Sequence, residues 1–264
     1  MTLFSNKSLS YVSSLIHASC LALMIGAASG QVRANEIKVI ASTAMKSSFD
    51  ELVPIFEQRT GHRVILPYYS SADGRRRIKE GEAFDVTITD LEAFHALVKE
   101  GVAVLDPVSI VGINAVELAY PAAGPKPDVS TPDKLKAMLL AAKSVSYSNP
   151  ALGGGSSVYF QSVLAQLGIA EIVRAKEVLA PSGQGAVPVA QGQAEIGIAQ
   201  ASEIVSLKSL ASVPIMTDDP KSRSVYGIGI SAKSQQSEAA RAFVQFLKSP
   251  ESVDALKRNG LSAP

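Results

Sequence analysis

Four short segments of this chain place small and hydroxyl-bearing residues between a predicted strand and a predicted helix. They combine serine, threonine, glycine and one glutamine with small neighbours, and they are residues 41–44, 70–72, 153–157 and 182–185. The N-terminus of a helix presents unpaired backbone N–H groups and a partial positive charge, so it binds anions without a cationic side chain. A single turn of this kind is also what an ordinary helix cap requires. Four of them in one chain predict a shared site for a small oxyanion or carboxylate.

The composition argues against several classes of partner. The 264-residue chain carries 25 Lys and Arg against 24 Asp and Glu, and its length suits one large or two small α/β domains. Leaving out Lys7 and Arg33, residues 35–264 have 23 basic residues against 24 acidic ones. This balance gives no electrostatic basis for binding nucleic acid or an anionic membrane. We expect a small anionic ligand, no nucleic acid and a monomeric protein.

Residues 1–34 have the composition of a secretory signal peptide. Lys7 gives a positive start, residues 15–28 form an apolar stretch, and residues 32–34 (Val-Arg-Ala) resemble an A-x-A cleavage site. A second possible cut lies after Gly30. The apolar stretch is too short and too interrupted for a membrane span. We expect cleavage of this segment and a periplasmic protein.

The chain offers few residues for metal or nucleophilic chemistry. Its one cysteine, Cys20, lies in the predicted signal, where His17 three residues earlier disfavours a lipoprotein site. The remaining histidines, His62 and His95, have no neighbouring Cys or His that would complete a zinc site. The glycine cluster at 153–157 lacks the Gly-Lys-Ser/Thr ending of a phosphate-binding loop. We expect neither a metal nor a cofactor, and no catalytic triad.

Strand and helix patterns alternate along residues 35–264. Phe49, Leu52, Val53 and Phe56 recur at the spacing of an amphipathic helix. Thr131 and Pro132 form a helix start. Repeated βα units predict an α/β fold with mostly parallel strands, whose ligands bind beyond the carboxyl ends of the strands. The predicted strands are 37–41, 63–68, 85–89, 116–121, 145–147, 177–180, 195–199 and 224–230, and helices fill most intervals, including 71–80, 91–100, 156–167, 184–191, 237–247 and 249–260.

Several short motifs follow one another along residues 49–197. They are Phe49, Leu52, Phe56, Thr60, Gly61 and Val64, then Ser70 and Ser71, then Ile78, Gly81, Asp85 and Val86, then Pro150 with the glycines that follow it, and finally Gly192, Ala194, Ile196 and Gly197. Their order and spacing resemble those of periplasmic molybdate-binding proteins and their relatives. The resemblance implies a two-lobed type II solute-binding fold with a cleft between the lobes. It implies crossings between the lobes near residues 115–119 and 219–225. Lobe one would then be residues 35–116 and 226–264, and lobe two residues 117–225.

The resemblance also implies ligand-binding positions in this chain. The hydroxyl that the family places in the first turn falls on Ala44 here, and the tyrosine that the family places late in the chain falls on Gln200. These two changes weaken the case for molybdate itself more than the case for the fold. The implied positions are Ser42, Thr43 and Ala44, Ser70 and Ser71, Gly155 and Ser156 through a backbone amide, Gln184 and Gly185 through a backbone amide, and Gln200.

A run of three arginines, Arg75, Arg76 and Arg77, directly follows the second turn. Guanidinium groups bind carboxylates in a bidentate way. On a helix these side chains point in different directions, so one or two at most would reach the cleft. The run is either a solvated basic face or a place where Arg75 or Arg76 binds an organic carboxylate. We include Arg75 among the candidate ligand-binding residues.

Two functions fit these observations. One is a solute-binding protein that captures a small anion, molybdate-like or an organic carboxylate, and presents it to the membrane permease of an ABC transporter by closing its cleft. The other is a periplasmic isomerase of a small tricarboxylate such as aconitate, an activity that some proteins resembling this family have. An isomerase needs a positioned acid or base. Lys46, Asp73 and Glu203 lie near the turns, and the sequence does not distinguish among them.

Overall fold

The computed structural model describes residues 35–262, apart from the side chains of residues 105–109. The predicted signal peptide, residues 1–34, lies outside the described residues. The strands are β1 (Glu36–Ser42), β2 (Arg63–Ile65), β3 (Tyr68–Tyr69), β4 (Val86–Asp90), β5 (Ala103–Pro121), β6 (Val145–Ser148), β7 (Glu177–Ala180), β8 (Ile196–Gln200), β9 (Leu210–Pro214) and β10 (Arg223–Ser231). The α-helices are α1 (Lys46–Thr60), α2 (Ser71–Lys79), α3 (Leu91–Lys99), α4 (Pro132–Ala141), α5 (Gly155–Leu167), α6 (Ala170–Arg174), α7 (Val187–Ala190), α8 (Ala201–Ile204), α9 (Ser237–Leu247) and α10 (Pro250–Arg258). Short 3₁₀-helices span Thr43–Met45, Pro150–Leu152 and Pro220–Ser222.

The strands join in the order β2-β1-β4-β10-β5-β8-β6-β7, with β3 on β1 and β9 on β5. The pairings of β1 with β2, β3 and β4, and of β6 with β7 and β8, are parallel. Strands β5 and β10 pair antiparallel to each other and to their other neighbours. The predicted α/β class is confirmed, and the antiparallel pairings are confined to the two strands that join the parallel groups.

Two groups of elements bury separate apolar cores. Lobe one, as we use the term below, comprises β1–β4 with α1–α3, α9 and α10, and its main core includes Phe49, Phe56 and Phe243. Lobe two comprises β6–β9 with α4–α8, and its main core includes Leu135 and Phe160. The apolar spacing that predicts α1 is explained by this core, because its phenylalanines face the sheet. Each group of parallel strands therefore packs on its own apolar core. The pocket described below lies between the two groups.

Strand β5 links the two groups. Its pairing partner changes from β10 to β8 between Ala115 and Val116, close to the predicted first crossing. The exact lobe boundaries stay a prediction. The sequence predicts only residues 116–121 of this strand, because Asp106, Pro107 and Gly112 are unfavourable in strand interiors.

The segment after β7 differs from the prediction of a helix over residues 184–191. The backbone N–H of Gln184 donates to the carbonyl of Pro181 at 3.1 Å, which forms a turn. Helix α7 begins only at Val187 and spans four residues. A helix this short offers much less of the N-terminal charge that the fourth turn was expected to use. Helices α6 and α8 and strand β9 were not predicted from the sequence.

Within residues 35–262, no helix combines the length and apolar character needed to cross a membrane.

Candidate functional site

A pocket between the two lobes gathers residues that follow the strands of both parallel groups. Its volume is about 20 Å³, which is room for roughly one water molecule. We call it the cleft pocket, and its lining residues are Ser42, Thr43, Ser70, Ser71, Asp90, Ser148, Gly154, Gly155, Ser156, Ser182, Gly183, Gln200, Glu203, Ser224 and Tyr226. Most of them end, or directly follow, β1, β3, β4, β6, β7 or β8. The pocket thus occupies the carboxyl edge where ligands of parallel sheets bind.

The lining of the cleft pocket is polar and carries no cation. Among the described residues that form it there is no Lys, Arg or His, and the two ionisable acids are Asp90 and Glu203. No group of three His, Cys, Asp or Glu side chains within residues 35–262 is placed to hold a metal ion. Chemistry in this pocket therefore depends on hydrogen-bond donors and on two carboxyl groups.

The adjacent serines at the start of α2, Ser70 and Ser71, make different hydrogen bonds. Ser70 Oγ accepts from the Asp73 N–H at 3.2 Å and donates to the Leu152 carbonyl of lobe two at 2.8 Å. Ser71 Oγ accepts from the Asp90 N–H at 3.2 Å, so its own proton is free for another acceptor. Ser70 therefore links the lobes, and Ser71 can donate into the cleft pocket.

Helix α5 directs its N-terminus into the cleft pocket. Its N-cap is Gly154, which gives no side-chain cap, so the first backbone N–H groups, up to Ser156, lack an intrahelical acceptor. Gly153 adopts a left-handed φ of 69°. A Cβ atom at Gly153 would lie 2.7 Å from the Ala72 Cβ of lobe one. The glycines of this turn thus allow the two lobes to approach while the helix end stays open to a ligand.

The fourth turn contributes a hydroxyl group. Ser182 Oγ is buried and has no hydrogen-bond partner among the described residues. The next residue, Gly183, has a φ of 75°, and a Cβ there would lie 2.8 Å from Thr43 Cβ across the cleft. Since buried polar atoms are normally hydrogen-bonded, the Ser182 hydroxyl is a candidate donor to a ligand in the pocket.

Gln200, at the end of β8, is the centre of a buried hydrogen-bond network. Its Oε1 accepts from Asn114 Nδ2 at 3.0 Å and from the Tyr226 hydroxyl at 2.8 Å. The Asn114 amide is oriented by the Ser202 N–H, which donates to its Oδ1 at 3.3 Å. Gln200 Nε2 donates to Ser224 Oγ at 3.1 Å, which leaves its second proton for the pocket. The network fixes this amide nitrogen as a donor.

The two carboxyl groups of the pocket differ in their surroundings. Asp90 caps α3, and its Oδ1 accepts from the Ala93 N–H at 2.9 Å. Glu203 accepts from the Gln200 N–H at 3.2 Å and from Thr43 Oγ1 at 3.5 Å. Burial raises the pKa of Glu203 to about 7, because these two hydrogen bonds compensate only part of the lost hydration. Glu203 is therefore the group in this pocket that can exchange a proton near neutral pH.

The structure brings most of the predicted site residues together. The cleft pocket includes Ser42, Thr43, Ser70, Ser71, Gly155, Ser156 and Gln200. Four other predicted positions, one of which is Arg75, lie outside its lining. Ala44 is buried in the core of lobe one, Gln184 is exposed, and the carbonyl of Gly185 accepts from Ser146 Oγ at 2.7 Å inside lobe two.

Arg75 lies behind the serines rather than in the cleft pocket. Its Nη2 binds Glu100 of α3 at 3.1 Å. It lines a separate cavity of about 10 Å³ with Thr89, and this cavity shares Ser42, Ser70 and Ser71 with the cleft pocket. Its neighbours in the arginine run form ion pairs along α2. The run is thus mainly a paired surface, with Arg75 one layer away from the site.

Sequence reasoning missed several residues of the pocket. Tyr226 and Ser224 line the pocket from β10, on which the sequence shows no helix start. Asn114, which donates to Gln200 behind the pocket, comes from the unpredicted part of β5. Asp90 could have been found, since an acid directly before the predicted helix at Leu91 is a capping signal. No local pattern marks Tyr226, whose partner Gln200 is 26 residues away.

The sequence profile of bacterial extracellular solute-binding proteins matches residues 37–262. The chain belongs to this family. Its fold agrees with a solved structure, the periplasmic molybdate-binding protein of Azotobacter vinelandii, with a TM-score of 0.71 at 22% identity over 86% of this chain and 99% of that one. The predicted two-lobed type II fold is confirmed. The sulfate-binding protein SubI of Mycobacterium tuberculosis shares the fold with a TM-score of 0.66, at 19% identity over 86% of both chains.

Curated relatives within the family differ in their named roles. An aconitate isomerase of a Pseudomonas species is 28% identical over 231 residues, covering 85% of this chain and 87% of the relative. The molybdate-binding protein of Azotobacter vinelandii is 26% identical over 247 residues, covering 91% and 95%. The resemblance to molybdate-binding proteins inferred from the motifs is therefore confirmed.

Proposed function

We propose that this protein is a periplasmic binding protein that captures one small anion in the cleft pocket and presents it to a membrane transporter. The observation that carries this proposal is the convergence of donors from both lobes: the Ser71 and Ser182 hydroxyls, the second proton of the Gln200 side-chain amide and the N-terminus of α5. Groups that donate to the same oxygens from two lobes favour a closed cleft when the anion is present. The predicted signal peptide and the family support export.

The ligand class is a molybdate-like oxyanion or an organic carboxylate. Neutral donors suit the oxygens of either. A groove of about 560 Å³ adjoins the cleft pocket and shares Thr43, Ser70 and Ser182 with it. Tyr68 and Tyr69 also line this groove. It provides space for the carbon skeleton of an organic acid whose carboxylate occupies the pocket, and an inorganic oxyanion would not need it.

The proposal is tested by calorimetry and thermal unfolding with molybdate, sulfate, phosphate, citrate and trans-aconitate. We expect saturable binding of at least one of these anions at one site per chain, together with a higher Tm. A flat titration and an unchanged Tm with all five would contradict the proposal.

The Ser182→Ala variant is expected to weaken binding of the anion about tenfold without lowering stability. A hydrogen bond to a charged group contributes roughly 1.5–3 kcal/mol, and Ser182 Oγ has no partner to lose in the unliganded protein. Calorimetry gives the affinity and urea unfolding gives the stability. The matched control is Ser209→Ala, an exposed serine outside the pocket. Equal affinity of S182A and wild type would exclude Ser182 from the site.

A second candidate function, isomerisation of a tricarboxylate, is favoured by Glu203. A carboxyl group with a pKa of about 7 in a pocket that suits carboxylates is matched to general acid–base catalysis. As carboxylate, Glu203 would take a proton from the carbon beside the substrate double bond. As acid, it would return the proton to the other end of the allylic system, with no net change in composition.

This second candidate is tested by incubating the protein with trans-aconitate and following the cis isomer. Turnover by wild type that is lost in Glu203→Gln, with binding of trans-aconitate retained, would support it. Tight binding of trans-aconitate with no cis product would contradict the isomerase function and would leave transport as the remaining proposal.

A further inference from the structure

The cleft pocket combines an anion site with acidic groups in its wall. Glu203 follows β8 and lines the pocket together with Asp90. The described residues that line the pocket include no cation. Arg75, which lies behind Ser70 and Ser71, forms an ion pair with Glu100 at 3.1 Å. An anion that enters the pocket therefore meets like charges unless a carboxyl group is protonated.

Glu203 is the carboxyl group of this pair whose hydrogen bonds are the longer ones. Its two acceptor contacts are long, 3.2 Å from the Gln200 N–H and 3.5 Å from the Thr43 hydroxyl on the opposite lobe. Asp90 is engaged as the cap of a nine-residue helix, where its Oδ1 accepts at 2.9 Å from the N–H of Ala93. We therefore take Glu203 as the carboxyl group that receives the proton at the anion site.

We propose that Glu203 couples anion binding to proton uptake, taking up one proton as the anion enters the cleft pocket. The inference rests on the proposed binding function. In its protonated form Glu203 no longer repels the anion, and its O–H becomes one more donor toward the anion oxygens. Because the bound anion favours the protonated form, affinity for the anion must fall as pH rises through the pKa of free Glu203, which is about 7.

The other ionisable groups around α8 do not offset this charge. Tyr226 lies on the pocket side, and burial raises its pKa, so it stays neutral. On α1, Lys46 binds Asp50 at 2.8 Å. Glu117 on β5 accepts from Ser212 on the outer side of α8. The remaining lysines near this helix are engaged elsewhere, Lys208 with the Val205 carbonyl and Lys257 with Asp254.

The test is calorimetric titration of the full mature protein with molybdate and with trans-aconitate from pH 5.5 to 8.5. At pH 8, buffers of different ionisation enthalpy report how many protons are taken up. We expect close to one proton per bound anion at pH 8 and close to none at pH 5.5. Affinity should fall about tenfold or more between pH 7 and pH 8.5, since each pH unit above the pKa of the free group costs up to a factor of ten.

Glu203→Gln mimics the protonated carboxyl and keeps its size. This variant should bind with an affinity that is independent of pH, near the wild-type value at pH 5.5, and should take up no proton beyond those the probe itself binds. Glu117→Gln, which changes a half-buried carboxyl outside the cleft pocket, should retain the wild-type pH dependence.

The outcomes are separable. Binding at pH 5.5 with the same affinity at pH 8.5 in wild type would overturn the proton coupling and leave the binding function intact. Loss of the pH dependence in Asp90→Asn but not in Glu203→Gln would likewise overturn it. No binding of either probe at any pH would overturn this inference for these anions, and the binding function itself would be contradicted only if sulfate, phosphate and citrate also failed to bind.

Discussion

Replacing Gln200 by leucine is expected to lower anion affinity about a hundredfold and to lower the free energy of unfolding by about 3 kcal/mol. The variant removes the amide proton directed to the pocket, and a hydrogen bond to an anion contributes roughly 1.5–3 kcal/mol. It also leaves the buried Tyr226 hydroxyl and one Asn114 proton without the oxygen that accepts them in the wild type. A buried polar group without a partner costs roughly 1–3 kcal/mol. Calorimetry and urea unfolding measure the two effects separately.

The matched control for this variant is Gln193→Leu. Gln193 is an exposed amide of the same lobe outside the cleft pocket. The Gln193→Leu variant should bind the anion with wild-type affinity. Its free energy of unfolding should lie within about 0.5 kcal/mol of the wild-type value, as is usual for surface substitutions. If Q200L kept its affinity within threefold, Gln200 would be a structural amide and not a ligand donor.

The elements predicted best from the sequence are those with strong local signals. The phenylalanine stripe of α1 and the Thr131–Pro132 start of α4 reflect the core and the cap that they form. The first part of β5 could not be predicted, because its strand form depends on pairing with β10, more than a hundred residues later. That pairing overrides the low strand propensity of its Asp, Pro and Gly.

The site residues also divide into those with a local sequence signal and those whose position depends on distant partners. Ser70, Ser71 and the glycines before α5 were predicted because a helix start is a local pattern that also marks the carboxyl edge of a parallel sheet. The orientation of Arg75 depends on Glu100, 25 residues away, and the donor role of Gln200 depends on Asn114 and Tyr226. Such partners meet only through strand order, which residue spacing does not reveal.

Gly185 is packed closely between two strands of lobe two. The backbone contact with the ligand that the resemblance implies stays a prediction, and the structure adds a steric requirement at this position. A Cβ atom there would lie 2.4 Å from the Ile198 carbonyl oxygen and 3.0 Å from the Ser148 N atom. Both are backbone atoms of the strands that carry the pocket residues of lobe two, so neither can move without shifting its strand.

Gly185→Ala is therefore expected to lower the free energy of unfolding by about 3 kcal/mol, the upper end of the usual cost of overpacking. In a domain of this size the fall in Tm would be about 10 °C. The control is Gly192→Ala, since Gly192 has a φ of 70° and no atom within 4 Å of its added Cβ. It bears only the left-handed backbone cost, about 1 kcal/mol. Thermal and urea unfolding compare the two variants. Equal losses would mean that β6 and β8 shift to accommodate the added methyl group, and they would contradict this prediction.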